Sequence, residues 1–170
     1  KQQSRAAASV GDSAIPGWFL LTTAFLNGVA GLACETLWVR YLAFLDNVAY
    51  VFPTILCIYL VGVGLGSLVY SLMALNIRRP GLALAIVELL LAIMVSVTFI
   101  ASALIFAAGP PRPLDLKGMA LVTMLLPTVL MGVAFPLLCT VYGHKAKTLG
   151  KHIGLLYTVN TGGTVLGSLL

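Results

Sequence analysis

Charge is scarce in this sequence: 9% of its 170 residues are Asp, Glu, Lys or Arg, where a soluble domain carries roughly a quarter. Hydrophobic residues reach 60% and mean hydropathy is +1.05. The apolar residues come in runs too long to hide inside a globule of this size, which excludes a water-soluble core and makes lipid the solvent. Cysteine is nearly absent as well. Cys34, Cys57 and Cys139 fall singly in three different apolar runs, so neither a zinc-ligand spacing nor a disulfide framework exists, and they read as small packing residues. Catalytic signatures are missing too: there is no nucleophile elbow, phosphate loop, metal motif or paired-carboxylate site. GVGLGS has the wrong glycine spacing for a nucleotide fold and lacks a βαβ context. No catalytic, cofactor-binding or metal-ligating residue is therefore assigned. Solenoid repeats and low-complexity tracts are also lacking.

What remains is a succession of apolar helical stretches. The pattern predicts an all-α, polytopic transmembrane bundle, with a cytoplasmic lead over 1–14 and a membrane domain over 15–170. Spans are expected near 16–45, 48–77, 81–108, 118–143 and 153–170. Pro16 and Trp18 suit a helix start at the membrane interface. The first stretch would be about 45 Å long as one helix, against a hydrocarbon core of about 30 Å. A bend is expected there, with Gly28 and Gly31 as flex points and ETLWVRYLAFL as a separate interfacial helix. Asp46 and Asn47 make the next turn, Arg78, Arg79 and Pro80 end the second span, and the proline-rich GPPRPLDLK forms a loop. Pro127 and Pro136 are expected to free backbone carbonyls and kink the fourth span. Lys1 and Leu170 read as trimmed ends, the last span being truncated. A signal peptide does not account for the start, because the charge-free stretch 13–34 exceeds the roughly 7 to 15 residues of a signal core.

Basic residues set the orientation. Lys1, Arg5, Arg78, Arg79, Lys145, Lys147 and Lys151 lie on one side; Arg112 and Lys117 lie on the other, with Arg40 near that interface. This imbalance predicts a multi-pass protein of the plasma (inner) membrane with its N-terminus in the cytoplasm. It also accounts for the net charge of +5 without a nucleic-acid partner.

Polar groups within the apolar runs form a candidate intramembrane site: Glu35, Arg40, Glu88 and Asn160. A charge at a helix centre costs roughly 2.5 to 3.5 kcal/mol on insertion scales. Glu35 and Arg40 are about 140° apart around a helix and point to different partners. Glu35 is either part of a polar site near the outer face or an interhelical ion-pair or hydrogen-bond group. Glu88, about 13 Å along the helix from Arg79, is the most deeply placed acid, either a proton-relay or cation group or a neutral, hydrogen-bonded carboxylic acid. Asn27, Asn160, Thr158, Thr161 and Thr164 are expected as interhelical hydrogen-bond glue. The pairs Gly62/Gly66 and Gly163/Gly167 have the four-residue spacing that lets two helix backbones approach closely, and read as packing positions. His144 and His152 belong to, or border, a solvated basic loop.

Several strings, in order, resemble the transmembrane region of membrane-bound spermidine synthase-like (polyamine aminopropyltransferase-like) proteins. They are GLACETLWVRYLAFL with Glu35, Trp38 and Arg40, then YLVGVGLGSLVYS, LPTVLMGVAFPLL, and GKHIGLLYTVNTGGTVLGSLL with Tyr157, Asn160, Gly163 and Gly167. The resemblance implies part of a major-facilitator-like half and a role in anchoring or assisting a polyamine-related catalytic or transport function. The family's soluble aminopropyltransferase domain does not occur in this sequence, so no enzymatic residue carries over. Two other readings stand beside it: an accessory structural subunit of a larger membrane complex, and an oligomeric small-solute transporter. Expected partners are the lipid bilayer and other membrane helices, in a homo-oligomer or a larger complex; no cofactor is expected.

Overall fold

The computed structural model describes residues 15–43, 48–108, 113–143 and 149–169. The lead over 1–14, the Asp46/Asn47 turn, Arg112, His144, Lys145, Lys147 and Leu170 lie outside the described residues. Five α-helices follow one another: α1 (Gly17–Ala43), α2 (Val48–Met73), α3 (Pro80–Ala108), α4 (Pro113–Gly143) and α5 (Leu149–Gly167), with a 3-10 turn (Ala74–Asn76) after α2. No strand occurs among the described residues. Inside hydrocarbon a backbone N–H or C=O finds no water, so a spanning segment satisfies its polar groups within its own helix. The stretches Gly17–Arg40, Val51–Asn76, Pro80–Ala101 and Met124–Gly143 are long and apolar enough to cross a membrane.

Helix α5 differs from the other four. Lys151, His152, Asn160 and three threonines dilute its apolar residues, and it does not reach the apolarity of a free-standing span.

Several boundaries depart from the expected ones. Helix α1 continues from Gly17 to Ala43 with no separate interfacial segment, because nothing between Gly28 and Glu35 breaks the ladder and Gly28 is clamped against a neighbour. Helix α4 starts at Pro113, inside the stretch expected as a loop. A proline is tolerated at the first helical position, where its missing N–H would have no helical acceptor anyway. The same helix runs through Pro127 and Pro136 without interruption.

Successive helices run antiparallel. One apolar cluster joins the start of α1 (Leu20, Ala24), the start of α3 (Leu84), the end of α4 (Leu137, Leu138, Val141, Tyr142) and Leu156 of α5. A second joins the end of α1 (Cys34, Trp38), the start of α2 (Val51, Ile55, Ile58) and Met124 of α4, with Val95 and Phe99 of α3 against it. The closest packing is nevertheless between helices far apart in sequence, α1 with α5 and α2 with α4, while α3 lies on α4. Helix α4 touches all four others and is the centre of the bundle. Outward positions carry large apolar side chains such as Leu60, Leu72, Leu89 and Ile100, the surface that a lipid solvent requires.

Candidate functional site

Both glutamates of the chain lie on spanning helices, and α1 links them. Asn27 of α1 donates its Nδ2 hydrogen to Glu88 Oε1 of α3 at 2.7 Å. The bond bridges two helices whose backbones make few close contacts. Two turns further along α1, Glu35 is buried, 8% exposed. Tyr59 of α2 reaches the stretch of α1 between Asn27 and Glu35. Gly31, midway between Asn27 and Glu35, makes this approach possible. A β-carbon at Gly31 would stand 3.5 Å from Tyr59 Oη and 3.9 Å from Met131 Sδ of α4, so the absent side chain is the space the tyrosine tip occupies.

The four candidate polar residues separate. Glu88 meets α1 at Asn27, about 80° around that helix from Glu35; Arg40 is exposed. Asn160 is half-buried and meets α1 through its backbone carbonyl, which a β-carbon at Gly28 would overlap. The threonines expected as interhelical glue turn back on their own helix. Thr158 and Thr161 donate to the carbonyls of Gly154 and Tyr157 at 2.9 Å, and Thr164 to that of Thr161 at 2.8 Å. A threonine hydroxyl reaches the carbonyl one turn back without leaving the helix surface, so it needs no partner.

Gly163 and Gly167 lie against the backbone of α1 at Phe25 and Val29. Gly62 receives the Thr128 side chain of α4, and Gly66 lies against Val129 and Gly132. Gly132 in turn abuts Val63 of α2. Sequence numbers rise together along both contacts, so each is a parallel crossing. Sequence reading missed Gly132, because neither of its four-residue neighbours, Thr128 and Pro136, is a glycine.

Proline makes a polar contact here. Pro136 has no N–H, so the carbonyl of Gly132, four residues back, loses its helical donor. Ser67 of α2 supplies one: its hydroxyl donates to Gly132 O at 3.2 Å. One turn on, Tyr70 and Thr140 join by their hydroxyls, and Thr140 donates back to Pro136 O. At the opposite end of the bundle Trp38 stacks on Phe99, with ring centroids 6.4 Å apart. His152 lies 5.6 Å from the Tyr142 ring, in contact with the bundle rather than in open solvent.

No group of three or more potential metal ligands occurs among the described residues. The arrangement can hold a proton or a cation against carboxylates in a low-dielectric setting. Comparison of the chain with protein-family models, with curated proteins and with solved structures finds no match.

Proposed function

We propose that the chain is the membrane module of a spermidine synthase-like protein and that it handles a polyamine-like cation at Glu88. The observation that carries this reading is the Asn27–Glu88 hydrogen bond of 2.7 Å between α1 and α3. A carboxyl group placed inside an apolar bundle is costly and marks a solute or proton path by default. The ordered resemblance of four segments supplies the chemical class. Arg78, Arg79 and Lys151 lie at the end where α1 begins, which supports a cytoplasmic N-terminus in the plasma (inner) membrane. Uptake of labelled spermidine into vesicles containing the purified protein tests the reading. Glu88→Gln should reduce uptake about tenfold while the protein still inserts; uptake equal to wild type would remove it.

A second reading, an accessory subunit of a larger membrane complex, is favoured by the outer side of α5. Gly154, Thr158, Thr161 and Gly162 are exposed there, and nothing lies within 4 Å of a β-carbon built at Gly154 or Gly162. Small residues of this kind let another helix approach closely. Protein extracted in mild detergent and sedimenting as a lone monomer counts against this second reading.

A further inference from the structure

We infer that the end of the bundle carrying Arg78 and Arg79 is a docking surface for the headgroups of anionic phospholipids. Helix α2 ends at Met73, a 3-10 turn covers Ala74–Asn76 and α3 starts at Pro80, so both arginines stand in the short link between two spans. Both are exposed. Ile77, directly before them, packs on the apolar cluster that holds Leu84, Tyr142 and Leu156, which fixes the link at the rim of the bundle. Lys151 of α5 is exposed at the same end. Its neighbour His152 lies against the ring of Tyr142, with centroids 5.6 Å apart, so one cluster supports all three cations.

The charge at this rim is of one sign among the described residues. Glu88, the acid of α3, stands nine residues from Arg79, about 13 Å along the helix, and is joined to Asn27. Glu35 lies further along α1, and Asp115 is near the start of α4, at the opposite end. Carboxylates of the bundle therefore do not neutralise the arginines. The spans on either side of the link cross hydrocarbon, so their ends stand at the depth of the lipid headgroups. The anion concentrated at that depth is lipid phosphate, whose oxygens match the guanidinium fork.

A free phosphate ion would suit the same forks, and the neighbouring apolar residues select the lipid. Leu72 and Leu75 are 71% and 97% exposed, and Leu75 is three residues before Arg78. Side chains this bare leave water only by entering the acyl layer. The link thus offers leucine to the chains and arginine to the phosphate of one molecule. Trp18, 68% exposed at the start of α1, belongs to the residue types enriched at this depth.

The inference does not rest on the polyamine reading, and its test contains no polyamine. The purified full chain is equilibrated in mixed micelles holding equal amounts of phosphatidylglycerol and phosphatidylcholine with the same acyl chains, and native mass spectrometry counts the lipids retained. Wild type should retain phosphatidylglycerol in clear excess. Arg78→Gln, Arg79→Gln and Lys151→Gln should each lower that excess about fivefold, as expected for one basic residue near an anionic surface. Equal retention of the two lipids by wild type, or a double variant Arg78→Gln/Arg79→Gln with the wild-type preference, would overturn the surface. A measurement on wild type alone avoids dependence on variant folding. Raising the salt from about 50 mM to about 500 mM during equilibration should weaken the preference, because the cations are exposed; a preference indifferent to salt overturns the inference. Inorganic phosphate in large excess, replacing chloride at equal ionic strength, should leave the lipid in place. Displacement by phosphate alone would mark a site for a free anion and overturn the assignment to lipid.

Discussion

The α1–α5 seam and the α2–α4 seam solve one packing problem in two ways. Each is a parallel crossing of helices far apart in sequence, and each brings backbone against backbone at glycine. At α1–α5, Gly28, Gly163 and Gly167 make the space, while the threonines of α5 stay bonded to their own helix. At α2–α4, Gly62, Gly66 and Gly132 make the space, and hydroxyls cross it from Ser67 to Gly132 O and between Tyr70 and Thr140. Proline explains the contrast. Helix α5 contains none and keeps its ladder intact, so it needs only room; α4 contains Pro127 and Pro136 and must take a donor from its neighbour. In lipid, where apolar surface gives no net drive to associate, close approach and borrowed hydrogen bonds are what hold helices together.

The largest test of this comparison is steric. Gly132→Leu and Gly163→Leu each place a side chain where a backbone carbonyl of the facing helix already lies, and each should destabilise the protein by about 3 kcal/mol, the upper range for overpacking. Unfolding in mixed detergent micelles measures both. If Gly163→Leu were silent while Gly132→Leu was not, glycine contact would not be the common element of the two seams.

A smaller effect separates the seams. Ser67→Ala should cost about 1 kcal/mol, within the range of interhelical hydrogen bonds in membranes. In a Pro136→Ala background the cost should shrink towards zero, because residue 136 then offers its own N–H to Gly132 O. A double-mutant cycle reads the coupling directly. Equal costs in both backgrounds would mean that Ser67 does not compensate for the proline. The smallest effect belongs to the outer side of α5, where Gly154→Leu should change stability by less than about 0.5 kcal/mol. A larger loss in the detergent-solubilised monomer would show that this side is already packed.

Much of the fold was legible residue by residue. Arg78, Arg79 and Pro80 mark the end of a span, and the structure changes helix there. Gly62/Gly66 and Gly163/Gly167 announce close approach by their spacing alone. Glycine in a long helix fits a bend as well as a contact, and the contact of Gly28 depends on Asn160 of the facing helix. Glu35 and Glu88 stand out by charge in an apolar run. The partner of Glu88 is Asn27 of α1, a residue of ordinary type whose role depends on what stands opposite.

The sequence by itself determined the solvent and the helices. In hydrocarbon each segment must satisfy its backbone internally, so the composition of a stretch decides its structure without reference to the rest of the chain. Tertiary structure alone decided the partners. Outward and inward apolar faces are nearly equivalent in lipid, so pairing is selected by glycine notches, by the carbonyl that Pro136 releases, and by the bond from Asn27 to Glu88.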